Sequence, residues 1–133
     1  MTKHDVRMTE SKQDRPRQYD LEDRTTRFAE AIIDFAKAVS VFAITEPLLR
    51  QLVRAGTSIG ANYAEADDAS SPKDFRYRIG ICKRESRETK YWLRLIAKAA
   101  PEMAERARVH WSEAKELHPI FAKIYRGRSQ KLE

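Results

Sequence analysis

Apolar residues recur along this chain in alternating steps of four and three, and prolines break the pattern into four segments. Steps of four and three keep side chains on one face of a helix, whereas a strand would need steps of two. Phe28, Ile32, Phe35, Val39 and Phe42 make the first series and predict a helix over about Leu21 to Ala43. Thr45-Glu46-Pro47 interrupts it. Pro47 suits the first position of a second helix, with Thr45 or Glu46 near its cap. That helix runs to about Ala69 with Leu48, Leu52, Ile59, Tyr63 and Ala66 inward. Ser71-Pro72-Lys73-Asp74 marks the third start: Ser71 as N-cap, Pro72 at N1 and Asp74 against the helix dipole. Phe75, Ile79, Cys82, Ser86, Thr89, Leu93 and Ile96 then hold the seam to about Ala100. Pro101 ends it, and Ala104, Ala107, Trp111, Ala114, His118, Phe121 and Tyr125 carry a fourth helix to about Tyr125. Pro119 inside that series should kink the helix or end it early.

Four amphipathic helices with short connections pack as antiparallel neighbours, so the expected fold is an all-α, antiparallel up-down four-helix bundle over residues 21–125. Helices of ~25 residues are roughly 37 Å long, which makes the bundle elongated. Residues 1–20 hold five basic and four acidic side chains with almost nothing to bury, and read as a disordered charged tail. Residues 126–133 read as a short basic tail. The first twenty residues have neither the apolar run of a signal peptide nor that of an anchor, and nowhere do ~20 apolar residues follow one another. With one cysteine, Cys82, no internal disulfide is available. A cytoplasmic protein that does not enter the membrane is expected.

Catalysis finds little support. Carboxylate-bridged di-metal bundles need Glu-x-x-His on two helices, and here no Glu is followed three residues later by His. His4 lies in the tail, while His110 and His118 lie two turns apart on the fourth helix. There is no glycine-rich phosphate loop, and Cys82 has no evident activating partner. The expectation is a protein that is not an enzyme, with no metal or cofactor.

Three patterns point elsewhere. Gly56, Gly60 and Ala64 form a small-residue stripe. A mid-helix glycine costs ~1 kcal/mol against alanine, so the stripe implies close helix approach, either inside one bundle or against another subunit. The third helix carries nine cations against three carboxylates, a net +6 that equals the charge of the whole chain. Arg76, Lys83, Arg87, Lys90 and Arg94 form one stripe beside its seam. Over ~25 Å such a stripe matches a phosphate backbone. The alternative is a solvated face, partly paired with the acidic end of the second helix at Glu65, Asp67 and Asp68. The other flank carries Ile81, Glu85, Glu88, Trp92 and Leu95, which widens the apolar face toward a second neighbour. It fits either an internal contact or a subunit interface anchored by Trp92, with Arg50, Arg54 or Arg78 pairing the carboxylates.

The run Arg54-Ala-Gly-Thr-Ser-Ile-Gly-Ala-Asn-Tyr-Ala-Glu-Ala66 resembles the signature of bacterial four-helix bundle proteins that include those encoded in intervening sequences of 23S ribosomal RNA genes. Ser71-Pro-Lys-Asp-Phe75, Ile81-Cys-Lys-Arg-Glu85 and Glu88-Thr-Lys-Tyr-Trp-Leu93 resemble the second block of the same family. The resemblance covers roughly residues 24–125. It implies assembly into a ring-like homopentamer and similarity to the accessory variability protein of diversity-generating retroelements, which works with a reverse transcriptase and its RNA. By this resemblance Ser58, Asn62, Glu65, Glu85 and Glu88 match the family's polar pattern and are expected to form a structural network. Tyr63-Ala64-Glu65-Ala66-Asp67-Asp68 departs from the commoner Ile-Ala-Glu-Gly, and the added acid argues against nucleic-acid contact at that end. The expected function is a homo-oligomeric adaptor that binds RNA or DNA through the third helix, together with a reverse transcriptase or other protein. The alternative is a protein-interaction scaffold without a nucleic-acid role.

Overall fold

The computed structural model describes residues 20–132. It is all-helical, with no strand among the described residues: α1 Asp20–Ala38, α2 Thr45–Asp67, α3 Pro72–Ala99, a 3-10 turn Pro101–Met103, and α4 Ala104–Leu132. The tail expected over residues 1–20 lies outside the described residues, apart from Asp20 at the head of α1.

Cross-helix contacts give the topology. Gly56 and Gly60 of α2 face Ile32 and Thr25 of α1, so the numbering falls on one helix as it rises on the other. Arg54 meets Glu85, and Asn62 meets Arg78, which sets α2 and α3 antiparallel. Arg76 lies on Tyr125 and Lys90 on Trp111, which does the same for α3 and α4. Consecutive helices thus pack as antiparallel neighbours, and Arg24 of α1 reaches Glu113 and Glu116 of α4 to close a four-helix bundle. Phe35, Phe121, Ile32, Leu52, Ile59, Ile79, Leu93, Ile96 and Leu117 fill its interior. Buried hydroxyls turn back on their own helices: Thr25 donates to the Leu21 carbonyl at 2.7 Å, Ser86 to Cys82 at 2.8 Å and Thr89 to Glu85 at 2.7 Å. Each is thereby satisfied without a partner from another helix.

The start of α3 is as expected, with the Ser71 hydroxyl accepting from the Asp74 N–H at 3.0 Å. Three boundaries differ. α1 stops at Ala38, five residues short of the expected end, because the Thr45 hydroxyl accepts from the Phe42 N–H at 3.0 Å and donates to the Ser40 carbonyl at 2.7 Å. The turn so built leaves Val41, Phe42 and Ile44 exposed, so Phe42 leaves the seam. Thr45 rather than Pro47 heads α2, and Pro47 still falls among the first four N–H positions, which need no donor. α4 runs through Pro119 to Leu132, so the segment expected to be a basic tail is helical to that residue. Pro119 is exposed, where water can satisfy the carbonyl one turn earlier.

Candidate nucleic-acid interface

The glycine stripe serves the inside of the bundle. A Cβ on Gly56 would lie 3.0 Å from two side-chain carbons of Ile32, and one on Gly60 would lie 3.2 Å from the Thr25 hydroxyl. Both glycines let α2 close onto α1. Ala64 is exposed and takes no part in this contact.

The polar residues shared by α2 and α3 form two clusters. Arg54 donates through Nη1 to both oxygens of buried Glu85, at 3.2 and 3.1 Å, and through Nη2 to Glu88 at 2.7 Å. Burial pulls the Arg54 pKa down, but attraction to Glu85 and hydrogen bonds to Glu85 and Glu88 outweigh it and leave it above its ordinary value. Among the three arginines expected to pair these carboxylates, Arg54 does so; Arg50 pairs with Glu46 instead. Arg78 donates to Asn62 Oδ1 at 3.2 Å, and Asn62 Nδ2 donates to the Ser58 carbonyl and hydroxyl at 2.9 Å each. Glu65 is exposed and joins neither cluster. Trp92 is half-buried against Tyr91, with its indole nitrogen enclosed. Cys82 is buried, its thiol pushed up to about 12 by desolvation and donating to the Ile59 carbonyl at 3.4 Å. Such a thiol is inert.

The basic stripe runs along the seam between α3 and α4, and here α4 supplies what sequence reading missed. Arg76, Lys83 and Lys90 stand seven residues apart on α3; Tyr125, His118 and Trp111 stand seven apart, in the opposite sense, on α4. Seven residues of helix rise ~10.5 Å, so two antiparallel series at that period meet rung by rung. The Arg76 guanidinium lies 4.0 Å from the Tyr125 ring centroid, and Lys83 Nζ lies 5.6 Å from the same ring. Lys90 and Lys115 approach the Trp111 ring at 5.7 and 5.3 Å. His118 falls between these aromatic contacts. Burial lowers its pKa first, and repulsion from Lys90, Lys83 and Arg87 lowers it further. Arg87 and Arg94 are exposed. Among the described residues none of the five stripe cations forms an ion pair with a carboxylate. The partial pairing with Glu65, Asp67 and Asp68 that the alternative reading offered is not formed among the described residues. Ala104, Trp111, His118 and Tyr125, expected inward, lie at the surface or along its edge, while Leu117 takes the core position.

The α1–α4 edge is organised by charge. Arg24 grips Glu113 with two bonds of 2.7 and 2.8 Å and Glu116 with one of 2.9 Å. The bond to Glu113 is the main reason its pKa lies above the ordinary arginine value. Beside it lies a groove of about 540 Å3 lined by Phe28, Ala31, Val109 and His110. His110 packs edge-on to Phe35 at 5.3 Å; burial, then Arg106, lowers its pKa. Among the described residues there is no cluster of side chains able to hold a metal ion, and no helix long and apolar enough to cross a membrane.

Residues 17–123 match the family described as the 23S rRNA-intervening sequence protein. The chain is also similar to a crystal structure of a protein of unknown function from the S23 ribosomal protein family of Bacteroides thetaiotaomicron VPI-5482. The two are 30% identical, with a TM-score of 0.67 over 78% of this chain and 96% of that one. Comparison with curated proteins finds no match.

Proposed function

The chain belongs to the 23S rRNA-intervening sequence protein family, and from that premise we propose that it is a non-enzymatic, homo-oligomeric adaptor that binds RNA or DNA through the α3–α4 seam. The observation that carries this reading is the row Arg76, Lys83, Arg87, Lys90 and Arg94, unpaired with any carboxylate among the described residues and interleaved with Tyr125 and Trp111. Cations beside aromatic faces suit a phosphodiester chain and its bases. With no element shaped to read base edges among the described residues, binding is salt-sensitive and weakly sequence-specific. Arg87→Glu, Lys90→Glu and Arg94→Glu together abolish retention in a gel shift while the helical circular dichroism is kept; unchanged retention excludes the stripe as the contact.

The assembly proposed is a ring-like homopentamer in the cytoplasm. The exposed apolar turn at Val41, Phe42 and Ile44 supports self-association. Sedimentation velocity gives five times the 15.5 kDa chain mass if this is right. A second reading rests on Glu65, Asp67 and Asp68, which are exposed and form no ion pair among the described residues. In a scaffold without nucleic acid, these acids neutralise the basic seam of a neighbouring subunit. The ratio of absorbance at 260 to 280 nm, before and after a high-salt wash, separates the two: protein free of nucleic acid in both states favours the scaffold.

A further inference from the structure

We infer that the cleft between α3 and α4, walled by Lys83, Arg84, Arg87 and His118, is a pocket for a single phosphate group. The inference rests on the nucleic-acid reading only for the source of that phosphate. The cleft measures about 290 Å3 and is lined by Gly80, Lys83, Arg84, Arg87, His118 and Tyr125, with no carboxylate among them. Gly80 makes it possible. A Cβ there would come within 3.1 Å of the Tyr125 ring, so its absence lets the ring lie directly on α3. Arg76, stacked at 4.0 Å, holds that ring in place as one wall.

Charge supplies the rest. Among the described residues the nearest carboxylate to these cations is Glu85, 3.7 Å from Arg84, and Glu85 is already held by Arg54 at 3.1 Å. Lys83 and Arg87 have no acidic partner among the described residues. Three cations facing one space beside an imidazole repel one another, and an oxyanion with several acceptor oxygens relieves that repulsion. The arginine fork pairs with carboxylate and phosphate alike, but cations that converge from several sides are better matched by the three or more acceptor oxygens of a tetrahedral phosphate than by the two of a carboxylate. His118 is the internal reporter. Lys83, Arg87 and Lys90 face it from α3, and Lys115 lies one turn earlier on α4. These cations favour its neutral form. A bound phosphate offsets part of that repulsion and raises the His118 pKa, so at a fixed charge state of the phosphate its binding and the protonation of His118 favour each other.

The test is a titration of the full chain with inorganic phosphate, in a non-phosphate buffer at ionic strength held constant with chloride. Histidine ring resonances are followed by NMR, with His118→Gln used for assignment. The pocket predicts a saturable displacement of the His118 signal and a rise in its pKa, with His110 unmoved beside Phe35. Lys83→Met with Arg84→Met abolishes the saturation and keeps the helical spectrum. A linear drift shared by His110 and His118, or the same saturation with acetate, overturns the proposal. Trinucleotides of one sequence, with a 5′-phosphate or a 5′-hydroxyl, identify the source: saturation by both indicates a bridging phosphodiester, and saturation by the first alone a terminal phosphate. Failure here with gel-shift retention intact removes the pocket and leaves the adaptor. Saturation by phosphate without retention of nucleic acid leaves the pocket and removes the adaptor.

Discussion

Glu85 carries the only charge fully inside the bundle among the described residues, and it stays there because Arg54 reaches it from the surface. Removing a carboxylate from water costs several kcal/mol, and only a partner with good geometry offsets that. Arg54→Met leaves Glu85 with the more distant Arg84. Because the Arg54 side chain is 46% exposed, the loss falls below that of a fully buried pair, at about 1–3 kcal/mol in urea denaturation. Arg54→Met with Glu85→Met recovers most of it, since neither charge is stranded; a double variant as unstable as Arg54→Met alone would show that packing is the cause. The half-buried histidines give the second residue-scale prediction. His110 and His118 both have folded-state pKa values below the ordinary 6.5. Below pH 6.5 the unfolded chain therefore binds protons that the folded chain resists. Their stabilising contribution is complete above that pH and is lost as pH falls toward the folded values. Urea midpoints decline from pH 7.5 to pH 5.5, and His118→Gln flattens the decline; an identical slope in that variant excludes His118 as a contributor.

At the scale of helices, the contact between α1 and α2 decides what its glycines are for. Gly56→Ala gains ~1 kcal/mol of helix propensity but presses a methyl to 3.0 Å from Ile32, which is fully buried and has nowhere to move. Overpacking of ~1–3 kcal/mol wins, and Gly56→Ala melts lower than the parent. Gly127→Ala, with nothing within 4 Å of its added carbon, melts at the same temperature or higher. If both variants are stabilised, the stripe is not a packing device. This stripe was legible in the sequence because the cost of helical glycine demands a compensating contact, though its partner was not. The α3 seam was legible for a similar reason: its N-cap, proline and periodicity all agree, and Ile79, Cys82, Ser86, Thr89, Leu93 and Ile96 are buried as expected. The end of α1 was hidden, because it depends on a Thr45 hydroxyl that acts across a turn. On α4 the reading placed Trp111, His118 and Tyr125 inside. Large rings with polar tips suit a boundary as well as a core, and what holds them at the edge is the cations of α3, which no single-helix pattern contains.

For the molecule as a whole, the question is whether +6 of net charge acts as a diffuse field or as a located surface. The two differ in how binding responds to salt. A located contact releases the counterions of the phosphates it touches, so log Kobs falls linearly with log[salt]. If all five cations of the α3–α4 seam engage, the slope is about −3.5 on single strands and about −4.5 on duplex DNA. Arg87 and Arg94 are exposed and not stacked on a ring, so each should contact a phosphate without remodelling the bundle. Replacing either with Met makes the slope shallower by about one. Lys37 in the last turn of α1 is also exposed and cationic but lies off the seam. Lys37→Met removes the same unit of net charge, so a diffuse field would respond to it equally. Fluorescence anisotropy across a salt series measures all three variants against the parent. Equal slope changes for Lys37 and Arg87 would mean that total charge governs binding and that the seam is not a site; a change confined to Arg87 and Arg94 places the phosphate chain along α3.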